Sequence, residues 1–300
     1  MARVRTRSVH NSGDIRAFFD AIAGGYRESH GNADLLLDYR LALARRLLAP
    51  SLGGVLLEIG CGPGVHLFPL ADAFSRTIGA DLSPAMIVAA ESIRRSHPCA
   101  AQIELHAEPA ERLSSVEDNA VDAVLCVGAF EHMPDKPAVL GEVRRVLKPG
   151  GRFVCLTLNG DYLWYHRIAP WLGYEVKHLS SDRLVNAAEV RALLQSAELR
   201  VDELGYWRFV ARGDMPMWAA RALEWLDRVG TVCKSSLLRG GLFVCAEKES
   251  RMVSGQKIQL MADQPQPPLP QRTQAVFAPA VELVLVKQSG AMPFRGDHVQ

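Results

Sequence analysis

The segment Val55-Leu56-Leu57-Glu58-Ile59 runs straight into Gly60-Cys61-Gly62-Pro63-Gly64, and no other junction in the chain restricts its fold as much. Four apolar residues in five read as a short buried strand, and the glycines after it permit a tight turn with positive φ and close approach of backbone to a ligand. A helix is expected next, through Leu67, Leu70 and Phe74. The alternation then repeats: strand 77–80, helix 85–95, strand 103–105, an irregular acidic stretch and strand 120–127. Helix 137–147 follows, stopped by Pro149-Gly150-Gly151, and then strand 153–158. Strands alternating with helices of this length predict an α/β fold: a parallel sheet covered on both faces, with ligand bound beyond the carboxyl ends of the strands.

The flanks have different textures. Leu36, Leu37, Leu41, Ala44, Leu47 and Leu48 recur at three- and four-residue spacing with Arg40, Arg45 and Arg46 between them. This predicts an amphipathic helix over 33–48, so residues 1–50 are read as an N-terminal helical cover and 51–249 as the ligand-binding domain. Residues 161–185 break the rhythm with Tyr162, Trp164, Tyr165, His166 and Trp171 and read as an inserted segment. It is either a lid over an apolar acceptor or a satellite core. Phe18, Phe19 and Tyr26 look like a second part of such a cover. Asn186, with Glu189 three residues on, caps a further helix. Strand 199–204, helix 216–229 and strand 242–246 complete the domain; Trp218 and Trp225, seven apart on that helix, suit a core or a subunit interface. Residues 263–274 hold four prolines and four glutamines, so 250–300 is read as a disordered tail, with a strand at 281–286 as the lesser alternative.

Composition narrows the partners. Lys plus Arg (34) nearly cancels Asp plus Glu (33), so no global field draws the chain to nucleic acid or anionic lipid; such a partner would need a local patch. Nucleic acid is not expected. No window approaches the ~18 apolar residues of a membrane span, so no membrane insertion is expected. The basic residues 1–8 are followed by Asn11, Ser12 and Asp14 where a secretory signal needs its apolar core; they read as a solvated tail, an organelle-targeting segment being the other reading. Six cysteines at 61, 99, 126, 155, 233 and 245 form neither a zinc nor a disulfide spacing, which predicts reduced thiols, no metal and a cytoplasmic compartment. Oligomeric state is not legible.

The glycine turn discriminates among ligands. A dinucleotide fingerprint needs a third glycine at the sixth position from Gly60, and Val65 stands there; a phosphate loop needs Gly-Lys-Ser/Thr, which does not follow. Glu58, at the strand end, would repel a pyrophosphate but suits a ligand with cationic groups, such as the sulfonium and ammonium of S-adenosylmethionine. Asp81 closes the second strand, where a carboxylate can accept from both hydroxyls of a ribose. Its other reading is a helix N-cap ahead of Ser83-Pro84, with the two roles divisible between Asp81 and Ser83.

In these features the sequence resembles the class I S-adenosylmethionine-dependent methyltransferases, in particular their small-molecule (methyltransferase type 11-like) group. The resemblance runs in order through VLLEIGCGPG (55–64), GADLSPAMI (79–87), VDAVLCVGAFEHMPD (121–135) and EVRRVLKPGGRFVCLT (142–157). It implies a Rossmann-like seven-stranded sheet whose last strand is antiparallel. It also implies a cofactor site in which Glu58, Gly60, Cys61, Gly62 and Gly64 line the methionine part, Asp81 takes the ribose, and Leu82 and Met86 approach the adenine. The family's acidic residue facing the adenine amino group falls near Pro109, so Ala110 and Glu111 are the expected contacts.

Methyl transfer is an in-line displacement in which positioning and exclusion of water supply much of the catalysis, and a hydroxyl or amine acceptor needs a base. His132, just after the fourth strand, is the candidate; a structural or acceptor-orienting role is the other reading. Glu131 is read either as a cap or as a contact at the cofactor end. The expected function is methyl transfer to oxygen, nitrogen or carbon of a small-molecule acceptor. The alternatives are a nucleic-acid methyltransferase, although Ala129-Phe130-Glu131-His132 replaces the Asn/Asp/Ser-Pro-Pro-aromatic motif of such families, and a non-catalytic regulatory partner that binds the cofactor.

Overall fold

A computed structural model describes residues 7–26, 34–171, 179–207 and 217–249. The chain divides into units Met1–Arg251 and Met252–Gln300. The second unit, with the expected tail and the 281–286 strand, lies outside the described residues, as do residues 172–178 of the aromatic segment.

In chain order the elements are α1 (Ser12–Ile22), α2 (Asp34–Leu48), β1 (Val55–Ile59), α3 (Leu67–Leu70), β2 (Arg76–Asp81), α4 (Pro84–Arg94), β3 (Ile103–Ala107) and β4 (Val121–Val127). They continue as α5 (Lys136–Val146), β5 (Leu147–Leu158), α6 (Ala187–Ser196), β6 (Leu199–Trp207), α7 (Met217–Val232) and β7 (Gly241–Lys248). The seven strands form one sheet in the order β3-β2-β1-β4-β5-β7-β6. Pairings from β3 to β5 are parallel, and β7 is antiparallel to both its neighbours. The architecture is the one the motifs implied, reversed last strand included.

Side-chain alternation along the strands builds two cores. Leu57, Ile59, Val124, Cys126, Phe153 and Cys155 face Val139, Leu140 and Val143 of α5 and Val190 and Leu194 of α6. Leu56, Ala123, Leu125, Val154 and Leu156 face Ala44, Leu47 and Leu48 of α2 on the opposite side. Each fully buried leucine among these contributes about 1.5–3 kcal/mol by leaving water.

Three local expectations change. The helix expected through Phe74 is a single turn, Leu67–Leu70, followed by a tighter turn at 71–73, and Phe74 is extended. Pro69 lies in the first turn, where a helix has no use for a donor N–H, so it is not what stops the helix at Leu70. Strand β5 begins at Leu147 rather than 153: Leu147 pairs with Val121 and Arg152 with Ala123, so Pro149-Gly150-Gly151 forms an irregularity inside the strand instead of ending an element. Trp218 and Trp225 are not core, being 77% and 63% exposed.

Candidate active site

Strand β1 delivers the glycine turn to the centre of the sheet's carboxyl edge. Gly60, Gly62 and Gly64 have φ of +66°, +52° and +82°, and the N–H groups of Gly60 and Cys61 donate to the Ala80 carbonyl on β2 at 2.8 and 3.1 Å. A Cβ on Gly60 would collide with the Ala129 side chain and one on Gly64 with the Phe68 ring, whereas at Gly62 only Met86 Sδ lies within reach, at 4.0 Å. The turn therefore needs glycine twice for packing. Gly62 instead keeps space open beside Met86.

That space is a cavity with an empty volume of about 770 Å³, including its solvent-open mouth. Gly60, Gly62 and Asp81 form its polar floor, Leu82, Met86, Ala110 and Glu111 one wall, and Ala129, His132 and Met133 the other. Ile15, Phe19 and Tyr26 from the N-terminal segment close over it. Asn11 caps α1 by accepting from the Asp14 N–H, and Asp20 fastens the helix down by accepting from Ser83 Oγ at 2.6 Å and the Ala85 N–H at 3.2 Å. That bond to Ser83, the leading cause, lowers the Asp20 carboxyl pKa and keeps the clasp ionised.

Two carboxylates dominate the electrostatics. Asp81 accepts the Gly62 N–H on Oδ2 and the Ser83 N–H on Oδ1, both at 2.8 Å. Burial raises its pKa despite these bonds. Ser83, not Asp81, is the cap of α4, accepting the Met86 N–H. Glu58 is wholly buried just behind the lining; neither oxygen has a hydrogen-bond partner, and His66 Nδ1 lies 3.6 Å away. Burial first and the Asp81 charge second push its pKa well up. A buried acceptor without a donor is costly, and a ligand carrying an ammonium and a sulfonium relieves that cost. Buried Glu58, Asp81 at the cavity floor and the apolar wall of Leu82, Met86 and Ala110 fit S-adenosylmethionine. Tyr26 stands close enough to feel these acids: burial chiefly, with Asp81, Glu131 and Glu58 adding and Arg40 opposing, raises its pKa to about 12.

The opposite wall carries a pair that the sequence did not announce. His132 Nδ1 lies 2.6 Å from Asp182 Oδ1, the two side chains being 14% and 3% exposed. Asp182 Oδ2 accepts the Leu179 N–H, and the Arg183 N–H donates to the Glu131 carbonyl, so the 179–185 segment is stitched to the turn that bears His132. Glu131 is itself buried and accepts from Thr157 Oγ1 on β5 at 2.9 Å. Burial presses the imidazole pKa down, but the Asp182 hydrogen bond and the Glu131 charge outweigh it and the net shift is upward. With Nδ1 bound to a carboxylate, the neutral ring carries its proton there and its lone pair on Nε2.

Other expected site residues lie elsewhere. Cys61 is buried, its Sγ facing the Gly62 carbonyl, and burial first among several causes drives its pKa well up, which suits a packing thiol. Tyr162 and Tyr165 stack edge to face at 4.9 Å and pack beside Gly240, apart from the cavity lining; Trp164 is also absent from that lining, and Trp171 is 84% exposed. Phe18 sits in a small cluster with Val9, Ile15 and Leu179, and it is Phe19 that reaches the cavity, its ring 5.2 Å from that of His132. Among the described residues no three His, Cys, Asp or Glu side chains group as metal ligands.

Residues 57–155 match the family model described as a methyltransferase domain. The ubiquinone biosynthesis O-methyltransferase of Xanthomonas oryzae is 28% identical over 190 residues, 60% of this chain and 75% of that protein. That of Xylella fastidiosa is 27% identical over 205 residues, 64% of this chain and 80% of that one. Among solved structures, a chain in the complex between the Haloferax volcanii Trm112 methyltransferase activator and a methyltransferase is 26% identical, covers 77% of this chain and 98% of its own, and superposes with a TM-score of 0.56. The [4+2]-cyclase SpnF covers 82% of this chain and 99% of its own with a TM-score of 0.58; at 17% identity that is a likeness of fold alone. The chain is a class I S-adenosylmethionine-dependent methyltransferase, and S-adenosylmethionine is its cofactor.

Proposed function

We propose that this methyltransferase acts on the phenolic hydroxyl of a small-molecule acceptor, with His132 as general base and Asp182 as its positioning residue. The observation that carries this reading is the 2.6 Å His132–Asp182 contact on the wall of the cofactor cavity. S-adenosylmethionine, when bound, supplies the electrophilic methyl carbon. The chain's own part is to bring the acceptor oxygen close, exclude water with Phe19, Met133 and Val127, and take the hydroxyl proton on His132 Nε2 as the oxygen becomes nucleophilic. Asp182 fixes the tautomer and steadies the imidazolium that forms, the division of labour seen wherever a carboxylate backs a catalytic histidine.

An imidazole titrating somewhat above its ordinary value matches a phenol, whose pKa is about 10, far better than an aliphatic alcohol. The O-methyltransferase relatives support oxygen as the atom methylated. Six cysteines, all unpaired, support a reducing, cytoplasmic compartment. The test is transfer of a labelled methyl group to a panel of simple phenols, alcohols and amines. Wild type should methylate phenols, and His132→Gln should lower turnover about 10²–10⁴-fold with cofactor affinity retained. Transfer confined to amines or carbon, or a fully active His132→Gln protein, would overturn the reading.

A further inference from the structure

Helix α7 holds to the fold by one side only. Leu223, Asp227 and Gly230 face inward, and Asp227 pairs with Arg239 at 2.8 Å with both side chains nearly buried. The turn that follows, Ser236–Leu238, is tied to the start of the aromatic segment, since Asn159 Nδ2 donates to the Ser236 and Arg239 carbonyls. The outward side is unusual in composition. Met217, Trp218, Trp225 and Val232 are 68%, 77%, 63% and 83% exposed, and Arg221 and Arg228 are exposed between them. At 3.6 residues per turn these six positions fall within an arc of about 100°. The helix's two acids lie off that arc: Asp227 is buried in its ion pair and Glu224 sits half-buried at the edge.

The geometry points to this face as a docking surface for an anionic lipid bilayer. Tryptophan prefers the depth where headgroups meet acyl chains, and arginine lays its stem along apolar surface while its guanidinium stays with phosphate. Trp218, Trp225 and Val232, seven apart, supply a continuous apolar line two turns per step; Arg221 and Arg228 supply the adjoining line of positive charge. A helix with this division lies in the interface plane and spans nothing, in keeping with the finding that no described helix is long and apolar enough to cross a membrane. Charge selects the partner. A second copy meeting the same face across a two-fold axis would oppose the two arginine lines, whereas an anionic lipid surface complements them. The chain's near-zero net charge localises the attraction to the patch. The surface stands independently of which acceptor is methylated.

The test is co-sedimentation of the full-length protein with vesicles of phosphatidylcholine alone and of equal parts phosphatidylcholine and phosphatidylglycerol. Binding should favour the anionic vesicles by at least about tenfold, weaken with salt, and shift tryptophan emission to the blue. The Trp218→Ala/Trp225→Ala variant should lose binding to both vesicles. Arg221→Glu/Arg228→Glu, which changes only exposed side chains, should lose the anionic preference, at about fivefold or more per arginine, with cofactor affinity unchanged. Wild type indifferent to phosphatidylglycerol, an Arg221→Glu/Arg228→Glu protein that still prefers it, or a concentration-dependent dimer dispersed by Trp225→Ala would each overturn the proposal.

Discussion

The two halves of the active-site wall are built differently. On the β1–β2–β3 side every cavity group, from Gly60 through Asp81 to Glu111, comes from one run of about fifty residues, and each sits at a strand end, in the turn after it or, for Met86, in the first turn of the helix that follows. On the β4–β5 side, His132 depends on Asp182, fifty positions further on, in a segment held by backbone bonds from the Ser180 N–H to the Arg7 carbonyl, the Arg183 N–H to the Glu131 carbonyl and the Gly160 N–H to the Val185 carbonyl. The first half is fixed by backbone geometry, which any member of the fold must share. The second brings together side chains of distant segments, His132 and Asp182, whose pairing depends on how the folded chain places them.

Mutations should separate the halves. The largest effect belongs to Gly60→Val: a side chain at φ +66° driven into Ala129 should prevent folding, seen as loss of soluble protein or of the cooperative melt. Gly62→Val is strained by its φ of +52° but has only Met86 Sδ nearby, so it should lower the melting temperature yet retain secondary structure by circular dichroism, while calorimetry detects no cofactor binding. Asp81→Ala comes next, with cofactor affinity weakened by about 1.5–3 kcal/mol, roughly 10- to 150-fold, since a charged acceptor is lost. Unchanged affinity would leave Asp81 as a loop brace for the Gly62 and Ser83 N–H groups alone.

The smallest effect concerns Glu58 and reads out in stability. Its folded pKa lies above the ordinary 4.5, so below that value both states are protonated and folding is favoured most. As pH rises toward the folded value, the unfolded chain ionises first and stability falls. The melting temperature of the cofactor-free protein should therefore drop by a few degrees as pH climbs from 4.5, and Glu58→Gln should flatten that slope. An identical slope in both proteins would mean that the buried carboxyl does not titrate as described.

This difference in construction also decides what the sequence made legible. Glu58, the glycines and Asp81 announce themselves because strand ends and tight turns demand particular residues at fixed spacing. Ser83 as the cap of α4 was readable as one of two alternatives. Asp182 was not: within Ser180-Ser181-Asp182-Arg183 it resembles any solvated loop acid, and only folding carries it to His132. The choice between Phe18 and Phe19 likewise turns on the phase of α1 against the cavity, which neighbouring aromatics do not reveal. In Trp218 and Trp225 the seven-residue spacing correctly marks one helix face, but spacing does not say whether that face is covered.

The dyad is the central claim, and the pH–rate profile of wild type against Asp182→Asn tests it most directly, under conditions where methyl transfer limits turnover. The wild-type rate should rise through an imidazole pKa lying above 6.5, because Asp182 and Glu131 hold the ring's proton. Removing the Asp182 charge should move that rise to lower pH and lower the plateau by about 10- to 100-fold, as for other groups that orient a functional histidine. Cofactor affinity should be unchanged. A mutant with the wild-type plateau and the same inflection would contradict the account and leave His132 without a role as base.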